Sequence, residues 1–135
     1  MSIKATAKTI RISPRKMNLV AGLVRGRSVN DALVILEHTP KRAAAPLAKV
    51  IKSAAANAEN NNQKNINDLA IEHIHVNAGV IIKRARAAAR GRMHPIRHRT
   101  CHVTVEVNEV KSEAGNTSSK QATKKAEKKV KQGVK

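Results

Sequence analysis

The sequence predicts an α+β fold: one domain of strands and three helices that carries a long basic β-hairpin and ends in a disordered tail. Three observations predict it. Runs of alternating apolar and polar residues open the chain and recur after residue 69, the period of a strand with one buried face. Between them, three segments carry apolar residues at helical spacing, each introduced by a capping residue or a proline. The two later alternating runs flank Lys83 to Arg99, which holds seven Lys or Arg and no acid. The length of 135 residues suits a single domain.

Ile3 to Ile10 sets Ile3, Ala5 and Ala7 against Lys4, Thr6 and Lys8 and reads as the first strand. Ser13-Pro14 supplies a cap and a proline at the first helical position, where a missing N–H costs nothing. Met17, Val20, Ala21 and Val24 then mark a helix over about 14–25, with Gly26 suited to its C-terminal end. Ser28 and Asp31 resemble a capping box before Val29, Ala32, Leu33 and Leu36, a second helix over about 28–38. Thr39-Pro40 repeats the start signal, and Leu47, Val50, Ile51, Ala54 and Ala58 mark a third helix ending near Asn61. Pro46 lies inside that span, which predicts a kink or a later start.

Leu69 and Ile71 begin the second strand on odd positions, whereas Ile74, Val76, Ala78, Val80 and Ile82 are even, so a bulge is expected near His73. The third strand sets Cys101, Val103, Val105 and Val107 against His102, Thr104 and Glu106. The domain is read as residues 1–110 and the hairpin as about 70–108, with a tip at about 85–92. With arms of about 15 residues it reaches on the order of 50 Å at roughly 3.3 Å per residue. Residues 111–135 lose the apolar pattern and read as a disordered Lys-rich tail.

The formal charge is +18, from 27 Lys and Arg against 9 Asp and Glu. Residues 1–110 alone hold 19 basic and 7 acidic side chains, so the domain itself is basic. Such a balance calls for a polyanionic partner. The chain has no Phe, Tyr or Trp, which removes aromatic stacking platforms and leaves phosphate, sugar and shape contacts. Arg84, Arg86, Arg90, Arg92, Arg97 and Arg99, with Lys83, are the first candidate phosphate ligands, since guanidinium groups give forked bonds to phosphate oxygens. Arg11, Arg15, Lys16, Arg25 and Arg27 form a second candidate cluster around the first helix.

The parts of an enzyme are missing from the pattern: no Gly-rich phosphate loop, paired carboxylates or nucleophile–base set appears. His73 and His75 share a strand face, but no third ligand joins them, so neither a metal nor another cofactor is expected. The lone Cys101 falls on the apolar face, reads as core and fits a reducing cytoplasm. No apolar stretch approaches the roughly 20 residues of a membrane span.

Ser13-Pro14-Arg15-Lys16, Leu19-Val20, Val24-Arg25-Gly26, Ala32-Leu33 with Leu36, and Ala54-Ala55-Ala56-Asn57-Ala58-Glu59 together resemble the bacterial large-subunit ribosomal protein twenty-two family. Lys83-Arg84 and Arg90-Gly91-Arg92 follow and, after nine intervening residues, His102-Val103-Thr104-Val105-Glu106-Val107, the most specific part of the resemblance. It covers about residues 4–109. The family usually has a basic residue two before Arg90, where this chain has Ala88.

The resemblance implies a small antiparallel sheet packed on three helices, with a long protruding basic β-hairpin. It implies a structural constituent of the large subunit that binds 23S ribosomal RNA, aids assembly and works in the cytoplasm as part of the ribosome. Arg86, Ala87, Ala88, Ala89 and Arg90 would then be the tip at the wall of the nascent-peptide exit tunnel. The expected partners are that RNA, neighbouring large-subunit proteins and the nascent peptide, with no membrane and no homo-oligomer. The alternative is a nucleoid-type DNA-bending protein with a basic β-ribbon arm, which needs an apolar wedge at the arm's tip.

Overall fold

The computed structural model describes residues 3–109. The elements run β1 (Ile3–Ile10), α1 (Pro14–Val24), α2 (Val29–His38), α3 (Ala44–Asn62), β2 (Leu69–Ala87) and β3 (Met93–Glu109). Short 3-10 turns at Ile66–Asp68 and Ala89–Gly91 precede β2 and join it to β3. The sheet is antiparallel in the order β1-β3-β2, so β3 is central. The tail expected at 111–135 lies outside the described residues.

The helices form where the spacing places them. α1 opens on Ser13-Pro14 and buries Met17, Val20, Ala21 and Val24. Gly26 follows in the left-handed region, at φ 72°, a conformation glycine adopts without a Cβ penalty. Ser28 Oγ accepts the Asp31 N–H at 3.1 Å, the expected cap of α2. Of the kink or later start expected at Pro46, the later start occurs: α3 begins at Ala44, past Thr39-Pro40, and is not kinked. Proline is its third residue, within the first turn, whose N–H groups have no intrahelical acceptor to lose. The first bond of the ladder is Leu47 N–H to Ala43 O, at 3.3 Å.

All three helices cover one face of the sheet. Cys101, Val103, Val105 and Val107 of β3, Ile3 and Ala5 of β1, and Leu69, Ile71 and Ile74 of β2 point into the core. Leu47, Ile51, Ala54 and Ala58 meet them from α3. With alanine and valine as the common contact residues, helix and sheet approach closely, and the core is aliphatic throughout.

Irregularities shape the sheet. Ile71 pairs with Val107 and His73 with Glu106, which leaves Glu72 as an extra residue on β2. This is the bulge expected from the odd-to-even change of apolar phase, and it keeps both Ile71 and Ile74 on the core side. A second shift separates Ala78↔Cys101 from Ile81↔Arg99, and no phase change announced it. A third lies on β1 between Ala7 and Ile10, where Thr9 takes φ 57° and gives its N–H to His102 Nδ1 at 2.9 Å.

The hairpin arms are longer than the sequence suggested, 19 and 17 residues. β3 starts at Met93, where the expected tip at about 85–92 ends, so most of the basic stretch is itself a ladder. Around the second shift the helical layer ends, so Ala78 and Val80 are exposed although their spacing matches Ile74. Pro95 is paired opposite Ala85. In a two-stranded ribbon alternate N–H groups turn outward, so a proline there removes no ladder bond.

Candidate nucleic-acid interface

From Ile81 to the apex the ribbon extends about 25 Å at roughly 3.3 Å per residue. Its register sets the distribution of charge. Lys83 lies opposite Arg97 and Ile81 opposite Arg99, on one face; Arg84 lies opposite Ile96 and Arg86 opposite His94, on the other. Both faces are therefore cationic, and the Lys83–Arg97 pair sets like charges side by side, an arrangement unfavourable in water. All seven cations of residues 83–99 are exposed, and among the described residues none forms an ion pair. The nearest acids along the strands are Glu72 and Glu106, both at the root.

The turn is tight. Ala88 N–H bonds Arg92 O at 2.9 Å, and Ala89, Arg90 and Gly91 close the loop. Arg90 and Gly91 are both left-handed, at φ 58° and 69°. Glycine takes this region freely, whereas an arginine is held there against a steric cost of about 1–2 kcal/mol. The loop thereby presents Arg90 at the apex. Arg86 and Ala87, expected at the tip, are the last paired residues of β2.

The second predicted cluster does not stay together. Arg11 and Lys16 line a cleft of about 990 Å³ between α1, the α2–α3 connection and the ribbon. Arg25 and Arg27 lie past the opposite end of α1 and are engaged in the fold. The Arg25 guanidinium donates to Ile74 O at 2.8 Å and Asn18 Oδ1 at 3.0 Å, tying α1 to the hairpin root. Arg27 Nε donates to Leu23 O at 3.0 Å, satisfying a carbonyl near the end of α1. Arg15 is exposed on the first turn and is not part of the cleft.

In their place the structure supplies Lys41 and Arg42, which line the cleft with Arg97 and Arg99 of β3. In the sequence they lie between the Thr39-Pro40 start signal and Pro46 and read as part of the third helix if it starts at Thr39-Pro40. With that helix starting at Ala44, residues 41 and 42 are an exposed basic pair in a connection, and that pair was the available signal. The first turn of α1 faces this region with no acidic residue, and the Ser13 side chain makes no capping bond. Its free N–H groups add partial positive charge to the cleft.

The remaining titratable groups belong to the root. Lys4 Nζ meets Glu106 Oε1 at 2.9 Å, and this bond holds the Glu106 carboxyl below its ordinary range. Cys101 is fully buried, and desolvation pushes its thiol up. The rings of His73 and His75 lie 5.7 Å apart, with His73 Nε2 3.8 Å from Glu72 Oε1. Among the described residues, no three His, Cys, Asp or Glu side chains gather as metal ligands.

Comparison with known families places the chain carrying this exposed cationic ribbon. The family described as ribosomal protein L22p/L17e matches residues 5–108. The chain belongs to that family. The match runs from within β1 through the three helices and β2 to the penultimate residue of β3. L22p/L17e proteins are structural, non-enzymatic constituents of the large ribosomal subunit, which accounts for a chain whose charge is organised as surface and not as a reaction centre.

Proposed function

We propose that this protein binds 23S ribosomal RNA chiefly through the distal ribbon. Lys83, Arg84, Arg86, Arg90, Arg92, Arg97 and Arg99 would neutralise phosphates there, with Arg11, Lys16, Lys41 and Arg42 acting at its base. The observation that carries this reading is the ribbon itself: seven exposed cations on two faces, without an acid or an ion pair among the described residues. Lysine and arginine set opposite one another repel until a polyanion lies between or beside them. A slender ribbon reaches into spaces between RNA helices that a globular surface cannot enter.

On this reading the domain sits at the subunit surface beside other ribosomal proteins. The ribbon runs inward and Ala88 to Arg92 reach the wall of the nascent-peptide tunnel. Ala88, Ala89 and Gly91 keep that end narrow, with Arg90 its foremost charge. Binding several RNA segments along one ribbon would aid their assembly into the subunit in the cytoplasm. The DNA-bending alternative loses its main device, because Pro95 is paired within the ladder and the turn Ala89–Gly91 carries no apolar wedge.

The test is the salt dependence of binding to 23S RNA. Replacing Arg84, Arg86 and Arg92 by Gln is expected to flatten the slope of log K against log salt by roughly 2–3 units, close to one per lost phosphate contact. A slope identical to that of the parent protein would remove the ribbon from the interface.

A further inference from the structure

The cleft at the ribbon's base combines two features that phosphate binding alone does not require together. Its rim is cationic: Arg11, Lys16, Lys41, Arg42, Arg97 and Arg99, with no acid in the lining. Among these cations the lining also carries apolar side chains, Ile12, Leu19, Leu23, Pro40 and Ile82. Leu19 is 76% and Leu23 48% exposed, one helical turn apart on the outer face of α1. Two leucines left this open beside six cations are unexplained by folding, since the core of α1 is already complete on its other face.

We infer that this cleft seats an unpaired segment of RNA, with a base resting on Leu19 and Leu23 and the flanking phosphates on the rim. This rests on the RNA-binding reading above and extends it to a particular kind of RNA. A duplex presents polar backbone and would leave the leucines wet. A turned single strand separates its apolar and anionic parts, as the cleft does. In a chain without aromatic residues, an exposed aliphatic surface is what is left for a base face. The cleft, about 990 Å³, is at the upper end of the roughly 300–1,000 Å³ typical of ligand pockets, enough for a base with its neighbouring phosphates. The uncapped first turn of α1 offers N–H groups to one of those phosphates.

The experiment uses the full-length protein and three fluorescent probes. These are a mixed-sequence RNA decamer, the same decamer with abasic riboses in place of nucleotides, and a decamer duplex. The parent protein is expected to bind the decamer about five- to tenfold more tightly than its abasic form, the gain from burying about one base face on two leucines. Leu19→Ser with Leu23→Ser, both surface substitutions, should abolish that preference and leave the salt slope unchanged. Lys41→Gln with Arg42→Gln should keep the preference and lower the single-strand slope by about 1.4 units.

Equal binding of decamer and abasic strand by the parent protein, or a preference that survives the leucine substitutions, overturns the inference. A leucine variant that binds all three probes like the parent but fails to enter large subunits would assign this face to a neighbouring protein instead. The two readings fail separately. If base preference is absent while the ribbon substitutions still flatten the slope, the cleft falls and RNA binding stands; if no cationic substitution changes the slope, both fall.

Discussion

The two halves of the hairpin are made of the same two strands, yet only one of them has a core. In the root, Ile71 and Ile74 of β2 and Val103, Val105 and Val107 of β3 are buried under the helices, and β1 pairs with the outer edge of β3. Past the shift at Ala78/Ile81 the ladder continues to Ala87↔Met93 with no third strand and no helix. Pairing fixes the shape of both halves, while burial fixes the residue pattern of only one. An isolated two-stranded ribbon is marginal in water, and opposed cations weaken it further. On the proposed reading, a polyanion gives the distal half the support that the core gives the root.

The largest expected effect contrasts the halves directly. Ile71→Ala opens a cavity under the sheet and should cost about 2–5 kcal/mol, whereas Val80→Ala, at a side chain 68% exposed, should fall within about 0.5 kcal/mol of the parent. Urea denaturation measures both, and similar losses would mean that the ribbon has a core of its own.

The boundary between the halves comes next. A Cβ on Gly79 would lie 2.5 Å from Thr100 Oγ1 and 3.2 Å from the Thr100 carbonyl carbon. Thr100 is buried and cannot swing away without losing its 2.7 Å bond to Val80 O. Gly79→Ala is thus expected to destabilise by about 1–3 kcal/mol, read as a lower melting temperature. An unchanged melting temperature would show that the second bulge is not a fixed joint.

The smallest effect belongs to the outer face of the root. The Lys4 ammonium lowers the pKa of Glu106 in the folded protein. The resulting stabilisation is present above the ordinary carboxylate range and is lost as pH falls through the lowered value. Lys4→Met should therefore melt slightly below the parent near neutrality, and the gap should close in acid. A gap that persists or widens in acid would contradict the assignment.

Much of the fold was legible because burial leaves a period in the sequence. The stripes of α1 and α2, the strand β1 and the shift of phase at Glu72 all follow from residues that touch the core. The extent of the hairpin was read from the basic run and its flanking alternation rather than from burial, and the arms prove a few residues longer. Met93 to Arg99 form a strand through backbone pairing with both faces wet, so no alternation marks them. The second bulge is equally silent, because Val80 and Ile82 keep the apolar rhythm of Ile74 after the core has ended. At the site, the ribbon cations were visible as an uninterrupted run, but cations brought together from separate elements were not. Lys41 and Arg42 join Arg97 and Arg99 only through the packing of the α2–α3 connection, and Arg25 proves to be a tie between α1 and β2.

The central claim, that the distal ribbon lies against 23S RNA, is tested most directly by a cleavage reagent tethered to it. The chain has a single cysteine, and Cys101 is fully buried, so Arg92→Cys introduces one accessible thiol for an iron chelate. Glu37→Cys, on the exposed side of α2, provides a position away from the ribbon. In large subunits assembled with the labelled protein, radicals generated at residue 92 are expected to cut 23S RNA at discrete nucleotides, at sites distinct from any produced at residue 37. Intact RNA around a labelled residue 92 in fully assembled subunits would contradict the account.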